Sequence, residues 1–134
     1  MFRVVLDTNV LISAIVFGGI PRTLFNKVIE ESLEMGLSDD LLDETKDVLG
    51  RPKFGLRKSE HHAVIQELER LATWVFPEES IAQIEDDPDD NRVLECAVAF
   101  DANFIISGDE HLLTLKNFQK IDILTPAEFI KMYG

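Results

Sequence analysis

The chain has 134 residues, which fits one domain over 1–134 and is long enough to bury a core without disulfides. Its formal net charge of −12 argues against a protein that coats nucleic acid by broad phosphate neutralisation, but allows a local acidic site for divalent cations. The single cysteine, Cys96, excludes an internal disulfide, and it is expected to be a small buried residue in a reducing cytoplasm.

The early apolar stretch, 10–20, is too short to span a bilayer. It is preceded by Asp7 and lacks a basic start and a cleavage site, so we expect neither a secretory signal nor a membrane association.

Apolar runs alternate with amphipathic stretches in the first half of the chain, which predicts repeated β–α units. Pro21 suits the first position of a helix, and Ser38 and Gly50 suit the two ends of a later one. The predicted elements are a strand over 2–6, helices over 9–17 and 21–35, a strand over 33–37 that competes with the end of the second helix, and helices over 39–49 and 59–72.

The second half continues the alternation after an acidic loop. The predicted elements are strands over 74–76, 103–107 and 122–124, a helix over 91–100, a short helix that opens at Asp109, and a last helix whose capping box is Thr125-Pro-Ala-Glu128. Together they predict a three-layer α/β/α fold with a mostly parallel, five-stranded central sheet.

Two acids follow predicted strands directly or nearly so. Asp7 comes after the first strand, and Asp109 follows the strand over 103–107 by one glycine. Ligands bind beyond the carboxyl ends of parallel strands, where the strand order reverses. If the two strands are neighbours there, both acids face one crevice.

Helix phase selects a third acid. On the helix over 39–49, Glu44 lies only about 40° outside the apolar arc, whereas Asp43 and Asp47 point further away. Glu44 is therefore the acid on that helix that we expect to point inward.

The acidic loop 85–91 supplies the fourth candidate. Projected backwards from the next helix, Asp90 falls within the apolar arc and Asp89 outside it. Asp87 could reach the same place from the loop, so the choice among these three acids stays open.

Each acid also has an ordinary explanation. Asp7 and Asp109 could cap the helices they precede, and Glu44 could be a solvated helix acid. These explanations do not account for four acids meeting at one site, because converging like charges repel unless hard divalent cations bind between them.

The segments VVLDTNVLISA, LLDETKDVLGRPKF, DPDDNRVLECAVAFDANFIISGDEHLL and ILTPAEFI resemble the PIN-domain family over essentially the whole chain. The branch most similar to them is that of the VapC-like toxins of toxin–antitoxin systems. The resemblance implies a ribonuclease with one or two Mg²⁺ or Mn²⁺ ions, and it also implies a homodimer and an antitoxin protein as partners. It places catalytic and metal-binding roles on four acids: Asp7, Glu44, Asp90 and Asp109.

The resemblance further places polar helpers at Asn9 and Ser107. Two ions about 3.5–4 Å apart would support in-line phosphodiester hydrolysis without a nucleophilic side chain. A basic stretch is expected either to contact the RNA backbone or to be a solvated surface: Lys46, Arg51, Lys53, Arg57 and Lys58. His111 is expected to be a plain surface histidine, and His61 and His62 suggest no zinc site.

Three rival functions are considered. A phosphatase of the haloacid-dehalogenase type needs an acid two residues after its nucleophile, where this chain has Asn9. A receiver-like signalling module needs a lysine beyond a late strand, and Lys116 is too far along. A PIN-like module that binds RNA or protein without cutting it is opposed by the four acids, and an activity assay decides.

Overall fold

The computed structural model describes residues 1–134, and its centre is one six-stranded sheet with helices packed against it. The strands are β1 (Phe2–Leu6), β2 (Leu33–Leu37), β3 (Thr73–Trp74), β4 (Phe104–Ile106), β5 (Asn117–Phe118) and β6 (Ile121–Leu124). Their order is β3-β2-β1-β4-β6-β5, and every pair is parallel except β5–β6. The predicted α/β architecture is confirmed.

The predicted number of five strands is wrong, because β5 forms an antiparallel hairpin with β6. The two residues of its turn, Gln119 and Lys120, have φ angles of 48° and 69°. Two-residue hairpin turns with positive φ are normally signalled by glycine, asparagine or aspartate. This turn contains none of these three residue types, so the sequence gives no indication of the hairpin or of β5.

Seven helices connect or follow the strands. They are α1 (Thr8–Val16), α2 (Gly19–Ile29), α3 (Asp39–Leu49), α4 (Lys58–Leu71), α5 (Asp90–Phe100), α6 (Glu110–Leu113) and α7 (Pro126–Tyr133). A single 3-10 turn over Pro52–Phe54 lies between α3 and α4. No single helix is long and apolar enough to cross a membrane; α1 and α2 reach that composition only together, across a 96° bend.

The second helix differs from its prediction at both ends. It begins at Gly19, so Pro21 is its third residue, a position that proline tolerates because the first four N–H groups of a helix have no partner inside it. It ends at Ile29, and Glu31 then has a left-handed φ of 63°. The predicted extension to Met35 is wrong because that residue pairs with Val4 in the sheet.

Two predicted caps are confirmed. The Ser38 hydroxyl accepts a hydrogen bond from the Leu41 N–H at 3.4 Å at the start of α3. At the start of α7, Thr125 and Glu128 exchange backbone and side-chain hydrogen bonds of 3.0 and 3.1 Å. Such caps satisfy N–H groups that the helix itself leaves unpaired.

The core is built around the two central strands. Val4 and Val5 of β1 and Ile105 and Ile106 of β4 are all fully buried. The chain leaves β1 toward β2 on one side, while β4 lies on the other, so the strand order reverses between β1 and β4. The condition on which the two acids would share a crevice is met, because β1 and β4 are neighbours and their carboxyl ends open where ligands bind in such sheets.

Candidate metal centre

A serine side chain links the carboxyl ends of β1 and β4 by hydrogen bonds. Asp7 follows β1 and is 4% exposed, and Ser107 follows β4 and is fully buried. The Ser107 hydroxyl donates to Asp7 Oδ2 at 2.7 Å and accepts from the Asp109 N–H at 2.9 Å. This hydroxyl therefore fixes Asp7 relative to the turn that carries Asp109.

Three further carboxylates converge at this edge. Asp87, Asp90 and Asp109 each place one oxygen so that the three atoms lie within 4.8 Å of one another. Asp87 comes from the acidic loop, Asp90 is the first residue of α5, and Asp109 precedes α6. Asp87, which the sequence suggested only as a supporting residue, thus lies in the tightest part of the cluster.

Asp90 and Asp89 differ in burial as helix phase predicted. Asp90 is 6% exposed, whereas Asp89 is exposed and makes no capping hydrogen bond at the start of α5. Asp90 Oδ2 is buried and has no hydrogen-bond partner. A buried carboxylate oxygen without a partner is costly, and Asp90 is one of the three acids whose oxygens converge, so a ligand at this point would satisfy it.

Glu44 reaches the crevice through a contact that the sequence did not reveal. Its Oε2 accepts a hydrogen bond of 3.0 Å from the hydroxyl of Thr8, which is 2% exposed. Asn9, the predicted helper, is exposed. Thr8 directly follows Asp7 in the sequence, and this position is the one sign that it could take part in the site. A buried hydroxyl there needs a hydrogen-bond partner, which Glu44 supplies.

Burial and mutual repulsion both raise the pKa values of three acids in this site. Burial raises the pKa of Asp7, with a contribution from the charge of Asp109. Burial also raises the pKa of Glu44, and the charge of Asp7 adds to it. For Asp90, burial, hydrogen bonding to Asp109 and the charges of Asp109, Asp87 and Asp7 raise the pKa to about 8.

The two capping explanations have different outcomes. Asp7 occupies the residue before α1, but its side chain makes no capping hydrogen bond there. Asp109 Oδ1 does cap α6, accepting from the His111 N–H at 2.8 Å. Asp109 therefore combines a capping role with membership of the acidic cluster.

The acidic loop is held in place by two buried polar side chains that the sequence did not single out. Asn91 accepts from the Ile84 N–H at 2.8 Å and donates to the Ile84 carbonyl at 2.7 Å. Glu95 accepts from the Ile81 N–H at 2.8 Å. These contacts tie the segment that precedes Asp87 to α5, so the helix sets the path by which the chain enters the acidic loop.

The other candidates lie elsewhere. Cys96 is buried, and burial raises its pKa to about 12, so it is not a nucleophile. His111 is exposed. A cleft beside α3 and α4 is lined by Lys46, Arg51 and Lys58 together with His61 and His62. Two further basic residues have local partners: Lys53 lies over the Phe54 ring and Arg57 pairs with Glu60.

The donor set fits a hard divalent cation. Four aspartates and a glutamate offer only oxygen ligands, which Mg²⁺ and Mn²⁺ prefer, and a cation would offset both the burial and the repulsion that raise the pKa values. The unpartnered Asp90 Oδ2 supplies an independent structural reason for a ligand at this point.

Ser107→Ala tests how far the site depends on its serine. We expect the affinity for Mn²⁺ to fall about 10- to 100-fold, because hydrogen bonds behind metal ligands contribute that much and Asp7 would lose its donor. Calorimetric titration of Mn²⁺ measures it. Ser59→Ala on the exposed surface of α4 is the matched control, and an unchanged affinity in Ser107→Ala would show that Asp7 needs no positioning.

The chain is similar to known proteins over most of its length. A family model described as PIN domain matches residues 3–111, which include all the acids of the cluster and Glu44. An uncharacterized protein of Methanocaldococcus jannaschii is 27% identical over 143 aligned positions, which cover 98% of this chain and 91% of the relative. PIN domains are typically metal-dependent nucleases. The match extends over well more than half of the chain, which therefore belongs to the PIN domain family.

Proposed function

We propose that this protein is a ribonuclease that hydrolyses RNA phosphodiester bonds with Mg²⁺ or Mn²⁺. The observation that carries the proposal is the convergence of Asp87, Asp90 and Asp109, together with a buried Asp90 oxygen that has no hydrogen-bond partner. Membership of the PIN domain family supports the nuclease class, and the RNA specificity is the finer part of the proposal.

Different residues of the site would bind the ion and position its ligands. Asp87, Asp90 and Asp109 would hold one ion, and Asp7 and Glu44 would complete the ligand shells or accept hydrogen bonds from the substrate and water. Divalent ions bound there supply Lewis acidity and lower the pKa of water. Ser107 holds the Asp7 carboxylate toward the crevice, and Thr8 does the same for Glu44.

The reaction is a displacement at phosphorus. The oxygen of a water molecule forms a bond to phosphorus while the bond to the leaving ribose oxygen breaks, and that oxygen takes up a proton. The raised pKa of Asp90 means that its carboxyl tends to stay protonated until a cation binds and stabilises the ionised form. No cysteine, serine or histidine is placed to act as a covalent nucleophile.

The biological setting is a separate proposal that rests on the resemblance to VapC-like toxins. It has the protein act as the toxin of a toxin–antitoxin pair, as a cytoplasmic homodimer that an antitoxin protein inhibits. A small neighbouring gene whose product has a DNA-binding start and suppresses toxicity on co-expression would support it. Loss of toxicity in a cleavage-inactive variant would tie that effect to the nuclease site.

The purified protein should cleave single-stranded RNA in Mn²⁺ or Mg²⁺ and stop when EDTA is added. Gel analysis of a labelled oligonucleotide measures it, and re-addition of Mn²⁺ after EDTA should restore the activity. The same oligonucleotide made of DNA is the control for substrate class. Cleavage that continues in excess chelator would contradict the metal mechanism, and preferential cleavage of DNA would contradict the RNA specificity.

A further inference from the structure

One stretch of this negatively charged chain carries a net positive charge. Residues 46–58 hold five of the thirteen Lys and Arg residues and only one of the 25 Asp and Glu residues, Asp47. Their formal charge is +4, whereas the remainder of the chain carries −16. A polyanion that approaches this protein is therefore attracted to this basic segment and repelled elsewhere.

The same segment carries an aromatic side chain that meets a second one from α1. Phe54 lies in the 3-10 turn of the basic segment, and its ring centroid is 6.3 Å from that of Phe17. Phe17 directly follows α1 and is 73% exposed. The ammonium of Lys53 lies 5.1 Å from the centroid of the Phe54 ring, so a cation and two aromatic rings share one small surface.

The position of this aromatic pair relative to the acids follows from helix length. Phe17 comes ten residues after Asp7 along α1, which is about 15 Å at a rise of about 1.5 Å per residue. Glu44 and Phe54 both belong to the neighbouring stretch of α3 and its following turn, and Glu44 contacts α1 through Thr8. The aromatic pair therefore lies at the far end of the same two packed helices that present Asp7 and Glu44.

We infer that Phe17 and Phe54 form a platform on which the bases of single-stranded RNA stack, while basic residues beside it contact the phosphates. This inference rests on the proposed ribonuclease function and names the path of its substrate. Single-strand binding sites combine a positive groove for the backbone with aromatic faces for the bases. The cleft lined by Lys46, Arg51 and Lys58 also includes Pro52, which belongs to the same 3-10 turn as Phe54, and we assign this cleft as the positive groove.

Charge favours RNA over a protein as the occupant of this surface. An exposed phenylalanine alone would suit either partner, but Phe17 lies against Phe54, which belongs to the +4 segment of a strongly acidic chain. The chain offers a contrast in Phe76, which is also 73% exposed but lies beside Glu78 and Glu79. A platform for RNA requires positive surroundings, and Phe17 and Phe54 have them whereas Phe76 does not.

Binding of a labelled 12-nucleotide single-stranded RNA tests the inference. It is measured by fluorescence anisotropy in Mn²⁺, with the cleavage site disabled by Asp90→Asn. Phe17→Ala and Phe54→Leu should each raise Kd at least about fivefold, the lower end of the loss that removing a stacking aromatic causes. Phe54→Leu keeps an apolar side chain against the core, so its fold is preserved. Phe76→Ala is the matched control and should leave Kd unchanged.

Salt dependence separates the phosphate contacts from the stacking. Lys53→Ala and Arg51→Ala should each reduce the slope of log Kd against log salt by about 0.7, whereas the exposed Lys120→Ala should leave it unchanged. If Phe17→Ala and Phe54→Leu bind RNA as Phe76→Ala does, the inference is overturned, and a docking surface for a protein becomes the explanation of the exposed Phe17 ring.

Cleavage of substrates of two lengths distinguishes this inference from the proposed function. At about 3.4 Å for each stacked nucleotide, the 15 Å from Asp7 to Phe17 correspond to about four nucleotides. Phe17→Ala in the otherwise native chain should therefore raise KM for the 12-nucleotide RNA and leave cleavage of a dinucleotide unchanged. Equal losses on both substrates would overturn the platform. Absence of all cleavage by the native protein would contradict the proposed function alone, since the binding measurements would still decide the inference.

Discussion

Asp90→Asn should abolish RNA cleavage, and Asp89→Asn should leave most of it. Asp90 is buried within the acidic cluster and its Oδ2 has no other partner, whereas its neighbour Asp89 is exposed. Loss of a metal ligand removes Lewis-acid stabilisation of several kcal/mol, and about 1.4 kcal/mol corresponds to a tenfold change in rate. We therefore expect Asp90→Asn to lower kcat/KM about 100-fold or more, measured with a fluorogenic RNA substrate.

Asp89→Asn is an unusually close control, because it makes the same chemical change one position away. It removes one negative charge from the same loop, so a general electrostatic effect on RNA approach would appear in both variants. Calorimetric titration of Mn²⁺ should show weakened binding only in Asp90→Asn. Equal losses of activity in the two variants would mean that the charge of the loop, and not the ligand position of Asp90, sets the rate.

The sequence allowed these two acids to be told apart because helix phase reports burial. Asp90 lies on the face of α5 that also buries Val93, Leu94 and Ala97, and the structure confirms that face. The adjacency of β1 and β4 was only a condition in the sequence analysis, and the sheet supplies it. Helix periodicity is a local signal that a single sequence displays, whereas strand order is set by the whole fold.

Contacts between distant side chains were not foreseeable in the same way. The hydrogen bond from Thr8 to Glu44 joins residues 36 positions apart, and its existence depends on how α1 packs against α3. The position of Asp87 depends on Asn91 and its two bonds to Ile84, which no helix phase reveals. Packing angles and loop paths are set by the whole core, so the sequence named the acids but not the contacts that position them.

The metal-free protein should lose stability as the pH rises from about 5 to 8. Burial and the surrounding carboxylates raise the pKa of Asp90 from an ordinary 3.8 to about 8 in the folded protein. Between these values the folded protein holds a proton that the unfolded chain has released, so raising the pH favours unfolding. This contribution to stability is complete below about pH 4 and disappears as the pH passes through about 8. The pKa values of Asp7 and Glu44 are raised as well, which gives the same sign.

The size of the effect follows from proton linkage. One proton difference changes the free energy of unfolding by about 1.4 kcal/mol per pH unit, and about 1 kcal/mol shifts Tm by roughly 4 °C in a domain of this size. Between pH 5.5 and 7.5 the wild type in EDTA should therefore lose up to about 10 °C in Tm. Asp90→Asn, which keeps the shape and carries no charge, should lose much less, and subtracting its curve from that of the wild type removes the contribution of the titrating groups that do not interact with Asp90.

Added Mn²⁺ should reverse the order of the two proteins at pH 7.5. In EDTA the wild type should melt below Asp90→Asn, because at pH 7.5 its folded state must keep the Asp90 carboxyl largely protonated while the unfolded chain releases the proton. With Mn²⁺ the wild type should gain more, since binding to the native state alone stabilises it by about 2.7 kcal/mol at a concentration 100-fold above Kd. Asp89→Asn should follow the wild type in both conditions, because its exposed carboxylate is not part of the cluster. A wild type that melts above Asp90→Asn in EDTA at pH 7.5, with no response of either to Mn²⁺, would mean that the carboxylates do not strain the metal-free fold and that the cluster is not a cation site.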